Sequence, residues 1–323
     1  MIVNCFLTRK CNLKCDYCRI TRNYEGMPSE YPRLEEYYRN EKDVEWWIKT
    51  IDYLNRNVEH DPFFILYGGE PTLYKGFEDL VKELYKRKVN FTIITNATQP
   101  DKILSLLDYI PGLTCSVDPT GISMNVDREL KSQSGVNLLM TAKQMKPSID
   151  AVAEVVIDKR NINQFPHLVS LASNSSFRLS ITIIETALSP HYDFAIADEQ
   201  LLLDQETASQ LKDLLLHYKV DTPWFDKIFL NPEAILYVLT KGPIVKCDPL
   251  KMNYLCIDSD GSLRLCLRIR GTEVPKLKMD NYWDKTYTKF LEDYSKAVKK
   301  DLRLCLGCSW TCAFMTKSDF KGA

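Results

Sequence analysis

Between residues 2 and 184 short β-branched or aromatic runs recur, separated by longer segments of helical period, and this rhythm constrains the fold more than any other feature. The runs Ile2–Leu7, Phe63–Tyr67, Asn90–Thr95, Leu113–Val117, Ala151–Ile157 and Arg178–Ile184 read as six strands. Helical spacing is predicted at Val44–Asn57, Phe77–Lys88, Asp101–Tyr109, within Asp127–Met145 and at Ile162–Ser173. Strands that alternate with helices pair in parallel through crossovers, so the class is α/β. An open doubly wound sheet and a partial (β/α) barrel both satisfy the pattern. After Ile184 the rhythm stops: Glu185–Asp198 reads as a loop, Gln205–Lys219 as an amphipathic helix, and Pro223–Gly242 is mixed. We expect a first unit over 1–190, a helical connection over 191–245 and a cysteine-rich unit over 246–323.

Composition narrows the class of protein. The 42 Lys plus Arg nearly cancel the 43 Asp plus Glu, which gives no electrostatic reason to expect a nucleic-acid partner. No apolar run approaches the roughly 20 residues of a membrane helix. The start, MIVNCFLTRKC, lacks a basic segment followed by a long apolar one, so no secretory signal is read and a cytoplasmic location is expected. Eleven cysteines then stand out. In a reducing compartment, and in a chain this long, they are not needed as disulfide staples. Three lie close together near the start and six fall between Cys247 and Cys312, leaving Cys5 and Cys115 apart, and two such groups point to two metal sites.

The first group, Cys11-Asn12-Leu13-Lys14-Cys15-Asp16-Tyr17-Cys18, spaces its thiols as C-x3-C-x2-C directly after the first strand. Iron–sulfur cubanes are normally held by four Cys thiolates, so three with no near fourth leave one iron open to an outside ligand. Structural zinc would want a fourth protein ligand. Tyr67-Gly68-Gly69-Glu70-Pro71 follows the second strand, Thr95-Asn96 ends the third, and Ser116-Val117-Asp118 ends the fourth. Strand alternation puts Ser116 and Asp118 on one face and Cys115 on the other, as core. Polar groups therefore collect at the carboxyl ends of the first four strands, where barrel active sites form.

These residues resemble the radical S-adenosylmethionine (radical SAM) superfamily, whose signature is C-x3-C-x-aromatic-C, with Tyr17 in the aromatic place. The resemblance covers residues 1–185 and implies a partial (β/α)6 TIM-like barrel with a 4Fe-4S cluster on Cys11, Cys15 and Cys18. It implies S-adenosylmethionine on the open iron, contacted by Tyr17, Gly68, Gly69, Glu70, Thr95, Asn96, Ser116 and Asp118. The glycines would let backbone approach the ligand, Glu70 would accept from the methionyl ammonium, and the two later strand ends would meet carboxylate or ribose. The chemistry implied is reductive cleavage of the cofactor to a 5′-deoxyadenosyl radical, which abstracts a substrate hydrogen.

In the second group, Cys247 followed by Gly261, four intervening residues and Cys266 resembles the C-x(9–15)-G-x4-C opening of the auxiliary-cluster domains called SPASM and twitch, and Cys305-Leu306-Gly307-Cys308 supplies a C-x2-C pair. A hairpin turning at Asp258-Ser259-Asp260-Gly261 is predicted between two apolar runs. A full SPASM domain needs seven or eight thiolates for two clusters; six are present, which favours one auxiliary 4Fe-4S cluster of the twitch type. The expected ligands are Cys247, Cys266, Cys305 and Cys308, with Cys312 as the alternative fourth and Cys256 as core. A zinc ribbon would show two tight pairs where this chain has one.

The resemblance extends to two groups of enzymes, one modifying peptides or proteins by oxidation, cross-linking or epimerisation, the other acting on small molecules as a dehydrogenase or epimerase. The peptide reading is the expectation; a non-catalytic iron–sulfur scaffold would have no use for an open iron. Since Ile2 already begins a strand, no leader-binding winged-helix domain is expected ahead of the barrel, which weakens leader-guided recognition except where a separate protein supplies it. A reductant such as a flavodoxin or ferredoxin is expected as partner. The stretch after Cys18, with Tyr24, Tyr31, Arg33, Tyr37, Tyr38 and Arg39, reads equally as a cover over substrate or as a solvated loop. Asp258 is a candidate base, while Asp260-Gly261 reads as turn chemistry. Cys256 or Cys312 can serve as a hydrogen donor, and His60, His167, His191 and His217 read as surface or structural residues.

Overall fold

The computed structural model describes residues 1–18, 20, 29, 31–59, 61–118, 126–184, 201–221, 225–230, 232–241, 250, 254–266 and 269–305. Cys247, Cys308, Cys312, Tyr24, His60, His191 and the Glu185–Asp198 stretch lie outside them. The six expected strands form: β1 (Ile2–Thr8), β2 (Phe63–Gly68), β3 (Asn90–Thr95), β4 (Gly112–Ser116), β5 (Asp150–Ile157) and β6 (Arg178–Ile183). Between them lie α1 (Leu34–Arg39), α2 (Val44–Asn57), α3 (Phe77–Lys86), α4 (Pro100–Leu104), α5 (Val126–Met145) and α6 (Phe165–Ser175). The helix predicted over Asp101–Tyr109 is split into α4 and a 3-10 turn at Leu107–Tyr109. Lys146 Nζ donates to the carbonyls of Leu107, Asp108 and Ile110, which stabilises that tighter turn.

The sheet runs β6-β5-β4-β3-β2-β1, every neighbour parallel and every step in sequence order. A doubly wound sheet reverses its order partway. This one does not, and the ambiguity resolves to barrel-type winding. Successive side chains alternate between two environments. Val3, Cys5, Leu7, Phe64, Leu66, Leu113 and Cys115 pack with Trp47, Ile51 and Leu54 of α2 and Leu80 and Leu84 of α3. Each fully buried side chain of this size contributes roughly 1.5–3 kcal/mol. On the other face, inside the barrel, Ile2, Phe6, Phe63, Ile65, Tyr67, Tyr254 and Cys256 make a separate apolar cluster with Cys18 against it.

After β6 come α7 (Gln205–Asp221), α8 (Phe225–Ile228) and α9 (Pro232–Lys241). The predicted hairpin then forms from β7 (Tyr254–Ile257) and β8 (Leu263–Arg264), antiparallel, followed by α10 (Tyr287–Asp301). Its turn closes with Gly261 N donating to Asp258 O at 2.9 Å, and Gly261 sits at φ +78°, where a Cβ would also meet Lys42 and Trp46 at 2.7 Å. Periodicity carries no sign of where this hairpin docks: β7 pairs in parallel with the free edge of β1, Ile2 opposite Tyr254 and Cys5 opposite Ile257. The barrel sheet thus continues directly into the cysteine-rich segment. Among the described residues no helix is long and apolar enough to cross a membrane.

Candidate iron–sulfur site

The cysteine triplet follows β1 immediately, and its entry is fixed by backbone. Gly69 N donates to Thr8 O at 2.8 Å and Glu70 N to Lys10 O at 2.7 Å. A Cβ on Gly68 would lie 2.2 Å from Thr8 O, and one on Gly69 would lie 2.2 Å from Lys10 O. Gly68 also adopts φ +150°, which side-chain-bearing residues rarely take. The close approach that requires these two glycines is therefore to the chain leading into Cys11.

Glu70 is fully buried, and its carboxylate is filled from within the protein. Oε1 accepts from Thr72 Oγ1 at 2.6 Å, Thr72 N at 3.1 Å and Thr95 Oγ1 at 2.7 Å, and Oε2 accepts from Asn96 N at 2.7 Å. Burial pushes its pKa up while these donors pull it down, and the net shift is upward. In this structure Glu70 ties the end of β2 to the end of β3. Asn96 carries the tie onward. Its Nδ2 donates to Asn12 Oδ1 at 3.0 Å and to Cys11 Sγ at 3.7 Å, and Asn12 returns a bond to Thr98 Oγ1 at 2.8 Å.

The three thiols are half-buried on one short loop. Burial pushes Cys11 up to about 12 and Cys15 up to about 11, and neighbouring thiols add to both shifts. Without a cation the loop holds protonated thiols; metal binding releases those protons. Among the described residues no three Cys, His, Asp or Glu side chains converge as a single-ion site requires. A cubane asks for a wider arrangement, because each thiolate binds a different iron. Soft thiolate donors and N–H groups aimed at sulfur, from Asn96 and from Leu13 N at 3.4 Å, fit such a cluster.

On the far side the loop rests on buried charge. Arg128 of α5 is fully buried and donates from Nε to Asp118 at 2.8 Å and from Nη1 to Asp158 at 2.5 Å. Lys131, one turn on, pairs with Asp118 at 3.1 Å and donates to Tyr17 Oη. Both cations stand 4.9 Å from the Tyr17 ring centroid. Arg160 bridges Asp16 and Asp158 at 3.0 and 3.1 Å. Burial works against the charge of Arg128, but Asp118 and Asp158 raise its pKa overall. Arg128 Nη2 is buried and has no hydrogen-bond partner among the described residues. Ser116 is half-buried beside Glu154, to which Thr182 donates at 2.6 Å. Gly135 lets α5 press on this strand end, since a Cβ there would lie 2.7 Å from Val117.

The structure brings Cys11, Cys15, Cys18, Tyr17, Gly68, Gly69, Glu70, Thr95 and Asn96 to one strand-end cluster, with Asp118 in the ion-pair layer against Tyr17. Cys115 and Cys256 are fully buried. The sequence analysis does not single out Arg9, Arg128, Lys131, Asp158 or Arg160, all charged residues that the fold brings to this site. The one available signal was Arg128 and Lys131 sharing a helix face. Of the residues after Cys18, Tyr31 and Tyr37 are buried against Arg9 and Arg270, while Arg33 and Arg39 are exposed.

Asp258 is not placed to act as a base. It is fully buried, and although burial alone would raise its pKa, Arg9 and Arg264 hold it down at about 2. Asp260 makes the expected turn contacts, accepting from Ser262 N at 3.0 Å and pairing with Lys278 at 2.7 Å. Cys266 and Cys305 are half-buried against the same helix-side core. Their segments are joined by the fully buried Asp301, which accepts from the amides of Thr272, Glu273 and Val274 at 2.8–3.0 Å. Gly271, at φ +89°, passes so close that a Cβ would lie 2.3 Å from Asp301 Oδ2.

A family model described as the Radical SAM superfamily matches residues 5–171. The chain is 24% identical over 173 residues to the sporulation killing factor maturation protein SkfB of Bacillus subtilis (strain 168), covering 52% of this chain and 38% of that protein. It is also 24% identical over 174 residues to an S-adenosylmethionine-dependent nucleotide dehydratase of Selenomonas ruminantium, covering 50% and 58%. The chain thus spans well under two thirds of the length of these curated relatives. Among solved structures, Streptococcus suis SuiB bound to its precursor peptide SuiA superposes with a TM-score of 0.63 at 16% identity, covering 97% of this chain and 70% of that one. SuiB bound to S-adenosylmethionine gives 0.59 at 16% identity, covering 90% and 67%. At such identity the likeness is one of fold.

Proposed function

The chain belongs to the radical SAM superfamily, and on that premise we propose that it abstracts a hydrogen from a peptide or protein residue to oxidise, cross-link or epimerise it. One observation carries the reading: three half-buried thiols on one short loop that hydrogen bonds tie to the ends of the neighbouring strands β2 and β3. When bound, the cluster and S-adenosylmethionine supply the electron and the 5′-deoxyadenosyl radical. Cys11, Cys15 and Cys18 would hold the cluster, with Asn96 and Leu13 donating to Cys11 Sγ and so tuning its potential.

The protein's own part is orientation. Gly68, Gly69 and Glu70 shape the floor beneath the cysteine loop, and Thr95 and Asn96 lock its edge. Arg128 Nη2, buried and without a hydrogen-bond partner among the described residues, would suit the methionyl carboxylate, since a buried donor left unmatched costs about 1–3 kcal/mol. Tyr17 is pinned by Lys131, Asp118 positions the two cations, and Ser116 would serve as a ribose contact. The apolar interior of β7, β1 and β2 would help keep water from the reaction space.

We propose further that Cys247, Cys266, Cys305 and Cys308 hold one auxiliary 4Fe-4S cluster in a twitch-like arrangement, able to take an electron from a substrate radical. The Asp301 latch joining the Cys266 and Cys305 segments supports this. SuiB, with its bound precursor peptide SuiA, supports a peptide substrate, and the nucleotide dehydratase supports a small molecule, so a small-molecule dehydrogenase or epimerase is the second reading.

The test is anaerobic reconstitution, reduction and addition of S-adenosylmethionine to wild type and to a Cys11→Ala, Cys15→Ala, Cys18→Ala variant. About eight irons per chain, falling to about four with loss of 5′-deoxyadenosine, is the expected result. About four irons plus zinc in the wild type would remove the auxiliary cluster and leave the radical chemistry. Incubation with precursor peptides and with nucleotides in deuterated buffer then separates the substrate readings by which class changes mass.

A further inference from the structure

Arg9 lies two residues before Cys11, and Arg264 lies two residues before Cys266. Both reach the same carboxylate. Arg9 forks onto Asp258, Nε to Oδ1 at 3.1 Å and Nη2 to Oδ2 at 2.6 Å, and Arg264 Nη1 reaches Oδ2 at 3.0 Å. Arg264 also donates from Nε to Cys266 O at 3.4 Å. All three side chains are buried, with Arg9 at 5% and the other two at 0% exposure. The guanidiniums are boxed by aromatic faces: Tyr37 lies 4.2 Å from Arg9, and Phe6 lies 4.5 Å from Arg264.

A turn residue would need only the bond from Ser259 N to Asp258 Oδ1 at 2.8 Å. The fork onto Arg9 adds a link across 249 positions of sequence. Bidentate pairing restricts both distance and angle, which a single contact does not. The β1–β7 ladder sets the two segments side by side; the clamp holds their loops at the strand ends in register.

We propose that Asp258 is a positioning residue that fixes the first cluster's cysteine loop against the hairpin bearing Cys266, and so sets the separation of the two iron sites. This rests on the auxiliary-cluster reading above. Its chemical content is intercluster coupling: electron exchange and the magnetic interaction of two reduced clusters both fall steeply with distance.

The experiment uses the full-length, reconstituted protein as wild type, Asp258→Asn, Arg264→Lys and, as a control in the same turn, Asp260→Asn. Iron per chain and the electron paramagnetic resonance spectrum of the dithionite-reduced protein are read together. Wild type should hold about eight irons and show lines broadened by coupling between two clusters. Asp258→Asn should lose that broadening, or lose the second cluster's iron, while keeping the first cluster. Asp260→Asn should match the wild type. If Asp258→Asn keeps both clusters and an unaltered coupled spectrum, the clamp is refuted. Should Asp258→Asn fail to fold, Arg264→Lys decides, and unchanged coupling in that variant overturns the proposal. About four irons in the wild type itself would sink the auxiliary-cluster reading and the clamp with it, a result distinct from unchanged coupling.

Discussion

The two cysteine-bearing regions are held by different physics. The loop of Cys11, Cys15 and Cys18 enters on backbone bonds to Gly69 and Glu70 and on van der Waals contact with two glycines. The region of Cys266 and Cys305 hangs on two buried carboxylates, Asp258 and Asp301, each gathering donors from distant segments. Close-packed backbone tolerates no added atom but is indifferent to charge. Buried carboxylates tolerate small shape changes but fail when their charge or its partners go. The entry of the first loop should therefore break by steric insertion, the second region by neutralisation.

The largest effect is expected where there is no room. Gly69→Ala would place its Cβ 2.2 Å from Lys10 O, so either β2 or the cysteine loop must shift. We expect loss of the first cluster, with iron falling from about eight to about four per chain and 5′-deoxyadenosine abolished. Normal iron and turnover in this variant would show that the loop is softer than its contacts imply.

Asp258→Asn should cost about 3–5 kcal/mol, because it leaves buried guanidiniums without their anion. Its pH dependence separates the two regions. Asp258 is depressed to about 2, so its contribution is fully present above the unfolded value near 3.9 and is lost as the pH falls toward about 2. Glu70 is raised by burial, so its contribution has the opposite sign, present at low pH and lost as pH rises through its folded value. Hydrogen exchange between pH 5 and pH 2 (roughly the span of the Asp258 titration) should show Tyr254–Ile257 loosening before Ile2–Thr8. Equal loosening of both would break the comparison.

How much could be read beforehand follows the same division. Strands and helices announce themselves by local period, so β3 over Asn90–Thr95 and α2 over Val44–Asn57 form at the predicted limits. The cysteine triplet and the Gly-Gly-Glu turn lie at strand ends whose neighbours are consecutive in sequence, so their meeting was legible too. The pairing of β7 with β1 has no local signature, because either edge of a parallel sheet can accept another strand. Nor do Arg9, Arg128 and Lys131 differ in sequence from solvated charges; only the fold shows that each is buried against an aspartate. Asp258 reads in sequence as a candidate base, and the two arginines that hold it ionised and buried come from the fold.

Asp301→Asn sharpens the second half of the comparison. Asparagine keeps one acceptor oxygen for the amides of Thr272, Glu273 and Val274 and points a donor at the rest. A cost of about 1–3 kcal/mol follows from the unmatched amides. The iron of the proposed second cluster should fall, while 5′-deoxyadenosine formed without substrate persists. Loss of the first cluster's iron instead would mean that the two regions are one cooperative unit.

The smallest effect is expected at Asn96→Ala. The side chain gives up its bonds to Cys11 Sγ at 3.7 Å and Asn12 Oδ1 at 3.0 Å, but the backbone bond from Asn96 N to Glu70 survives the substitution. Stability should drop by about 1 kcal/mol, and iron content should hold. What changes is the electron density on sulfur: one donor fewer makes the thiolate a stronger donor to iron and the cluster harder to reduce. A redox titration should find the first cluster's midpoint shifted to more negative potential, with the second unmoved. An unshifted first cluster would show that Asn96 serves the loop's shape alone, and the backbone account of that loop would then be complete without any bond to sulfur from this side chain.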